Sequence, residues 1–328
     1  MNKKMTLRAA ALAAMLLCVG SLASAESAPA RPITVVVPYS AGGDADLSAR
    51  NLSAGVRNVT GETLVVVNKA GAGGAIGSQF VRDAKPNGQT LLLGRVGAQA
   101  ILPALQPDLG YKWNDFTLLG LLELNPVVCV VRTAAAYKTL DDLLAVIRSQ
   151  PGKLNYSTSG PGTVLNLTTQ ALLQSARLDK QAVVQVAYKG GGEATAAVLS
   201  GEVDFTCNNL TALIGNIKGG KLRALVTTSP QRLPDLPDVP TASETGHPRL
   251  EALNGWSALY GPPGMDPALV EKWAAVIPKV ASDPQWKTGV LTIASIPMIL
   301  SPSETHKFVE AQVAMYEQLG KPLNIQLK

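Results

Sequence analysis

"PITVVVPYSAGGDADLSAR", residues 32–50, is the stretch whose reading decides the fold. Residues 33–37 form an unbroken apolar run rich in β-branched side chains, the pattern of a strand covered on both faces. Pro38 stops the run, and two glycines and two aspartates follow. From residue 47 to residue 59 the spacing predicts a helix with Leu52, Val56 and Val59 on one face. Strand, glycine turn and helix start together make a place for an anion. The N–H groups of a helix's first turn lack internal partners, and glycine removes the Cβ that would block approach. Asp44 and Asp46 stand where such an anion would sit, so their roles need an explanation.

Strand-like and helix-like segments alternate outward from this point. Strands are predicted at 64–67 and 90–93, and helices over "GGAIGSQFVRDA" and near 98–105. This βαβαβ opening implies an open α/β sheet with right-handed crossovers. The middle repeats the logic, with strands at 127–131, 154–158, 183–187, 203–207 and 222–227. Helices at 140–149, 164–176 and 193–199, and one ending at Lys218, separate them. "SPQRLPDLPDVPTASETGHP" carries too many prolines for regular structure. Beyond it come a strand-like "WSALYG" and helices at 267–281 and 303–319, a tail expected to pack back on the first unit. The expected organisation is one lobe from 26–125 plus 230–328 and a second from 126–229. The chain would cross between them near 124–127 and 228–232.

The 328 residues are 46% hydrophobic and 16% charged, a globular composition. Residues 1–25 read as a secretory leader: Lys3, Lys4 and Arg8, an apolar run over 9–19, then Ala23-Ser24-Ala25, with cleavage expected after Ala25. The run is shorter than the ~20 residues a membrane span needs. Leu17 is too large for the lipid-attachment box that Cys18 would otherwise suggest. Removing three basic residues and no acid takes the formal +5 to about +2. With no Lys/Arg cluster and 5% aromatics, nucleic acid is excluded as a partner. The expectation is an exported, soluble protein. Cys129 and Cys207 lie in strand-like "PVVCVV" and "VDFTCNN" and read as buried free thiols, although export permits a bridge.

Catalytic patterns are missing. His247 and His306 are the only histidines, and neither is near a glycine-flanked serine. "TSGPG" around Ser159 is not a G-x-S-x-G elbow, because residue 157 is serine. No zinc spacing or Walker sequence occurs, and "GAGGAIG" at 71–77 follows the second strand and has Ile76 where a dinucleotide loop needs glycine. No metal and no cofactor are therefore expected. What remains is a set of strand-to-helix loops: 39–46, 94–98 ("GRVGA"), 159–163 ("SGPGT"), 188–192 ("YKGGG") and Asn208-Asn209. Ligands of open α/β sheets bind at that end of the strands. Two such rims facing each other make a hinged binding cleft.

These segments resemble, in order, the periplasmic solute-binding proteins of tripartite tricarboxylate transporter systems, the Bug family. The likeness runs over about residues 32–320. It is carried by the opening stretch, "VVVNKAGAGGAIG", "PNGQTLLLG", "PGKLNYSTSGPGT", "AYKGGGEATAAVLSGEVD", "KGGKLRALVTTS" and "LPDVPTASETG". The resemblance implies a type II periplasmic binding-protein fold, with two α/β lobes, a hinge and a ligand cleft between them, and no catalysis. It implies a monomeric receptor in the periplasm that hands a small carboxylate to membrane permease subunits. The ligand would be an aromatic carboxylate or dicarboxylate such as terephthalate, a C4-dicarboxylate, or an acidic amino acid. Carried over residue by residue, the ligand site comprises Tyr39, Ser40, Ala41, Gly42, Gly43, Asp44, Ala45 and Asp46 of the first loop. Ser159, Gly160, Gly162, Thr163, Tyr188 and Asn208 face them, and Gly97 and Ala98 form a further wall. The tyrosines would flank a ring or bridge ordered water.

The chain departs from the family at Asp44 and Ala45, where Ser or Thr is usual, at Asn166 (often His) and at Asn208-Asn209 (often Asp-Asn). Asp46 matches the family's own aspartate and reads as structural, a first-turn carboxylate that offsets the helix dipole. Asp44 reads either as a helix N-cap or as a ligand contact. In the second role it would repel a bare carboxylate unless the ligand carries an amine or Asp44 is protonated. Two rival functions stand beside the receptor: an exported α/β enzyme acting on a small acid, and a sensor subunit of a signalling system.

Overall fold

A computed structural model of the chain describes residues 32–188 and 190–323. The expected leader, 1–25, lies outside the described residues, as does Lys189 of the "YKGGG" loop. From β1 (Ile33–Val37) the chain passes through α1 (Asp44–Thr60), β2 (Leu64–Asn68), α2 (Ala75–Arg82) and β3 (Thr90–Arg95). A π-helical turn, Gly97–Ile101, runs into α3 (Leu102–Leu105), and β4 (Thr117–Asn125) completes the first stretch. Next come β5 (Val127–Arg132), α4 (Leu140–Ser149), β6 (Asn155–Thr158), α5 (Val164–Ser175) and β7 (Val184–Ala187). They are followed by α6 (Gly191–Ser200), β8 (Phe205–Asn209), α7 (Leu210–Lys218) and β9 (Leu222–Thr227). The last stretch is β10 (Gly255–Gly261), α8 (Pro267–Ser282), α9 (Pro284–Thr292), β11 (Ile296–Leu300) and α10 (Pro302–Leu323).

The strands form two sheets, ordered β11-β4-β10-β3-β1-β2 and β7-β6-β8-β5-β9, within a single compact unit. Each sheet centres on three parallel strands in second-first-third order: β2-β1-β3 in one, β7-β6-β8 in the other. Beside each trio lies an antiparallel strand that has just arrived from the other sheet, β10 against β3 and β5 against β8. The expected α/β architecture is therefore present as two lobes with mixed sheets. Helices cover the sheets through the apolar faces that periodicity predicts. Leu52 and Val56 of α1 pack with Val35 and Val37 of β1, Trp273 and Ile277 of α8, and Trp286 of α9. Gly55 permits the close approach, since a Cβ there would lie 2.6 Å from Val280.

Three differences from the sequence reading have physical causes. First, β4 and β11 were not foreseen as strands, nor α9 as a helix. The apolar run in β4 fits a buried helix as well as a buried strand until its partners are known. Second, sheet membership does not change near 228–232. Leu233, Leu236 and Val239 of the proline-rich stretch pack with Val128 and Val130 of β5 and with Leu210 and Leu213 of α7. Thr227 bridges Thr241 through the backbone, and the turn Pro248–Ala252 lies on α5. Prolines prevent regular elements here, but the apolar residues between them still cover the second sheet. Third, Cys129 and Cys207 form a disulfide, not free thiols. Antiparallel pairing of β5 with β8 sets them on the same rung, with Cα atoms 3.9 Å apart, a juxtaposition that neither segment reveals alone.

Candidate functional site

The first loop is held by its own aspartate. Asp46, 2% exposed, accepts at Oδ2 from the Gly42 N–H (3.0 Å) and Arg50 Nε (2.9 Å), and at Oδ1 from Asn68 Nδ2 (3.1 Å). Asn68 also donates to the Tyr39 carbonyl at 3.1 Å, which ties the end of β2 to the loop. Burial opposes the charge on Asp46, but the bonds from Arg50, Gly42 and Asn68 outweigh it and hold its carboxyl below the usual range. A carboxyl with a lowered folded-state pKa contributes stability above the ordinary carboxylate range and loses it as pH falls through the folded value. Asp46→Asn should therefore lower the unfolding free energy at pH 7 by about 2 kcal/mol. In urea titrations the gap should narrow once the pH is below about 4; a gap that does not change with pH would contradict an ionised clamp.

Tyr39 joins the first loop to the wall at Gly97 and Ala98. Its hydroxyl accepts the Ala98 N–H at 3.2 Å, and a Cβ on Gly97 would lie 2.8 Å from that oxygen. Burial pushes the phenol up to about 12, with Arg95 opposing and Asp44 adding to the rise. Ser40, Ala41, Gly42 and Gly43 are exposed at the rim, and Ala45 is buried beneath them.

Asp44 is not the N-cap of α1; Gly43 occupies that position, without a side-chain cap. The Asp44 carboxylate turns inward instead. Oδ1 accepts the Ala45 N–H at 2.9 Å, and Oδ2 accepts from Arg95 Nη2 and from Asn209 Nδ2, the latter at 3.1 Å. Arg95 is nearly buried, at 5% side-chain exposure. Its Nη1 donates to Ser257 Oγ at 2.7 Å and lies 3.8 Å from Glu123 Oε1. Glu123, 2% exposed, accepts from Ser48 and from Ser257 (2.9 Å). Burial pushes the Glu123 carboxyl up, opposed by Arg95 and the two serines. Sequence reasoning singled out none of Arg95, Glu123, Ser48, Ser257 or Asn209 as site residues, apart from noting the Asn208-Asn209 pair. The available signal was an arginine closing a buried strand in a sparsely charged chain.

The second set of candidate residues is carried by α5, α6 and β8. Gly160 (φ 112°) and Gly162 (φ 69°) take the left-handed backbone that turns β6 into α5. Thr163 caps α5 and donates to the Gly160 carbonyl at 2.8 Å, leaving Ser159 and Gly160 partly exposed. Asn166 is buried and donates to the Tyr156 hydroxyl (2.9 Å) and Gln185 Oε1 (2.8 Å), so it braces the lobe from within. Asn208 is also turned inward. Its Nδ2 donates to the Gly191 carbonyl (2.8 Å) and Thr195 Oγ1 (3.1 Å), which fixes the start of α6. Tyr188 packs its ring on the apolar core, and burial together with the Glu202 carboxylate raises its hydroxyl's pKa. Asn209 instead reaches the start of α1 in the other lobe, through Asp44.

The histidines sit elsewhere. His247 Nδ1 lies 2.6 Å from Ser175 Oγ at the last turn of α5, with burial lowering the imidazole pKa and Asp141 opposing. That helix end presents carbonyl oxygens, one of which accepts from Arg148, and the polarity is wrong for holding an oxyanion. His306 meets the Trp113 ring edge-on at 4.9 Å. Among the described residues no cluster of three His, Cys, Asp or Glu is placed to hold a metal. No described helix is long and apolar enough to cross a membrane.

Against known proteins, the model of the tripartite tricarboxylate transporter family receptor matches residues 48–325. Protein BugT of Bordetella pertussis is 30% identical over 307 residues, spanning 93% of both chains. MatC of Rhodopseudomonas palustris, solved with bound malate, superposes with a TM-score of 0.79 at 28% identity, over 89% of this chain and 99% of that one. A second R. palustris protein, solved with adipate, gives 0.83 at 26% identity, over 91% and 99%.

Proposed function

This chain belongs to the tripartite tricarboxylate transporter receptor family, and from that premise we propose that it binds a small carboxylate between its two lobes and delivers it to membrane permease subunits. The protein is a solute-binding receptor of a family of periplasmic binding proteins, not an enzyme. The ligand is a small carboxylic acid, aromatic or aliphatic, and the malate and adipate of two structural neighbours favour the carboxylic acid. The mature receptor begins after Ala25 and works in the periplasm as a monomer. One lobe runs from 32–125 with 255–323, the other from 127–254. Within the second lobe Val127 and Thr228 exchange bonds, the Val127 N–H to Thr228 Oγ1 at 3.0 Å and the Thr228 N–H to the Val127 carbonyl at 2.9 Å, which fastens the proline-rich stretch to the start of β5 beside the crossing.

One observation carries this reading. Asp44, in the loop after β1, is bonded to Asn209 at the end of β8, so the ligand-binding ends of both sheets face each other. In the proposed mechanism the carboxylate bridges the exposed rim at Ser40–Gly43 and the facing Ser159–Thr163 loop. Contact with both rims exists only when the lobes are together, so the ligand favours the closed state. A thermal-shift screen of residues 26–328 tests it, with aliphatic diacids, citrate, aspartate, glutamate, nicotinate, benzoate and phthalate isomers against neutral controls. An acid at ~100 times its Kd should add about 2.7 kcal/mol of stability. A rise confined to one class of acids is the expected result; equal responses to acids and neutral controls would overturn the reading.

A further inference from the structure

We infer that Asp44 is a built-in substitute for one ligand carboxylate, and that the ligand of this receptor carries a single negative charge. The inference rests on the carboxylate-receptor reading and narrows it.

Three donors from three parts of the fold converge on the Asp44 carboxylate. One is the Ala45 N–H in the first turn of α1, at 2.9 Å; another is Nη2 of the nearly buried Arg95. The third, Asn209 Nδ2 at 3.1 Å, comes from the opposite sheet. A first-turn amide, a guanidinium and an amide from the facing wall are the groups that hold a bound carboxylate. Here the chain supplies that carboxylate itself, and the bond to Asn209 makes it span the two lobes, the role otherwise left to a ligand.

Charge counts lead the same way. Among the described residues of the cleft loops, Arg95 is the one cation. Asp44 and Glu123 both face it, at Nη2 and Nη1. The cluster therefore has no surplus positive charge for an incoming anion. A second carboxylate at this end would meet Asp44 in a partly desolvated place, where like charges repel strongly. Asp44 does not leave freely, because its departure takes from buried Arg95 its closest carboxylate. Outside this cluster, Ser40, Ala41, Gly43 and Ser159–Gly160 are uncharged and at least partly exposed, enough for one carboxylate held by backbone donors. The rest of the ligand, next to Asp44, carries no second negative charge.

The test is calorimetric titration of the wild-type mature chain, Asp44→Asn and Asp44→Ser with length-matched acids: benzoate against terephthalate, hexanoate against adipate, butyrate against succinate. The wild type should bind the monoacid of at least one pair tenfold or more tighter than its diacid. Asp44→Ser should raise affinity for that diacid at least tenfold while changing the monoacid less, with the near-isosteric Asp44→Asn between the two. A wild type that takes the diacid as tightly as the monoacid in every pair it binds overturns the inference and leaves the receptor reading intact. So does an Asp44→Ser variant that shifts both acids by one common factor, since that is the mark of a merely structural role. Failure of every acid to bind the wild type overturns both. The wild-type comparison stands by itself should a variant not fold.

Discussion

Arg95→Ala should lower the unfolding free energy by about 3–5 kcal/mol, the range for removing one partner of a buried ion pair. The arginine is 5% exposed and stands between two carboxylates, Asp44 and the 2% exposed Glu123. Alanine would leave Glu123 with serine hydroxyls as its only bonded partners, and Asp44 with Asn209 and the Ala45 N–H. A buried charge without its counter-ion is far more costly than a missing attraction. Two further results distinguish this cause from simple loss of packing. Adding Glu123→Gln to Arg95→Ala should recover about 1–2 kcal/mol, within the coupling range of groups in direct contact. The deficit should also depend on pH. Burial raises the folded-state pKa of Glu123, so its contribution is most favourable when protonated and is lost as pH rises through that value. Without Arg95 the rise is larger, and the deficit should be smaller at pH 5 than at pH 7. Urea unfolding at both pH values measures this; a deficit under about 1 kcal/mol, or one indifferent to pH and to Glu123→Gln, would show that the charges are not coupled as described.

What was legible in the sequence was what is decided locally. Val35 to Val37 pack on both faces, so β1 reads as an unbroken apolar run, and Leu52 and Val56 mark the inner face of α1 by spacing alone. The glycine-bearing loops at the strands' carboxyl ends were legible for the same reason, since the turn chemistry is local. Asp46 was read as structural, and its bonds to Gly42, Arg50 and Asn68 all come from nearby in the chain or from the adjacent strand. Asp44 shows where such reading ends. Its local preference is to cap α1, yet Arg95, 51 residues on, draws the side chain away and leaves Gly43 in the cap position. Asn208 and Asn209 both close β8, and only the pairing of elements decides which one turns inward to Gly191 and which reaches Asp44. The disulfide belongs to the same class, because strand character was visible in both segments but their shared rung was not.

That disulfide sets the second large effect. Equilibrium unfolding of the wild-type chain in urea should show the oxidised form more stable than the fully reduced form by about 4.5 kcal/mol, a value that follows from closing a loop of 78 residues in the unfolded chain. In a chain of this size the difference corresponds to roughly 7 °C in melting temperature. Comparing the two redox states keeps every native side chain, whereas replacing the cysteines with alanine would add the loss of two buried side chains. The sulfurs lie in strands buried to 1% and 0% exposure at these positions, so a reductant added to the folded protein should act only through unfolding. Reduction must therefore be carried out in denaturant and followed by refolding under reducing conditions. Ligand affinity should change much less than stability. The β5–β8 ladder runs from Val127 opposite Asn209 to Val131 opposite Phe205, and it positions Asn208 and Asn209 with or without the cross-link. Equal stability of the two forms would mean that the reduced, unfolded chain already keeps β5 and β8 together. A large fall in affinity at unchanged stability would mean that the bridge sets the geometry of the β8 terminus directly.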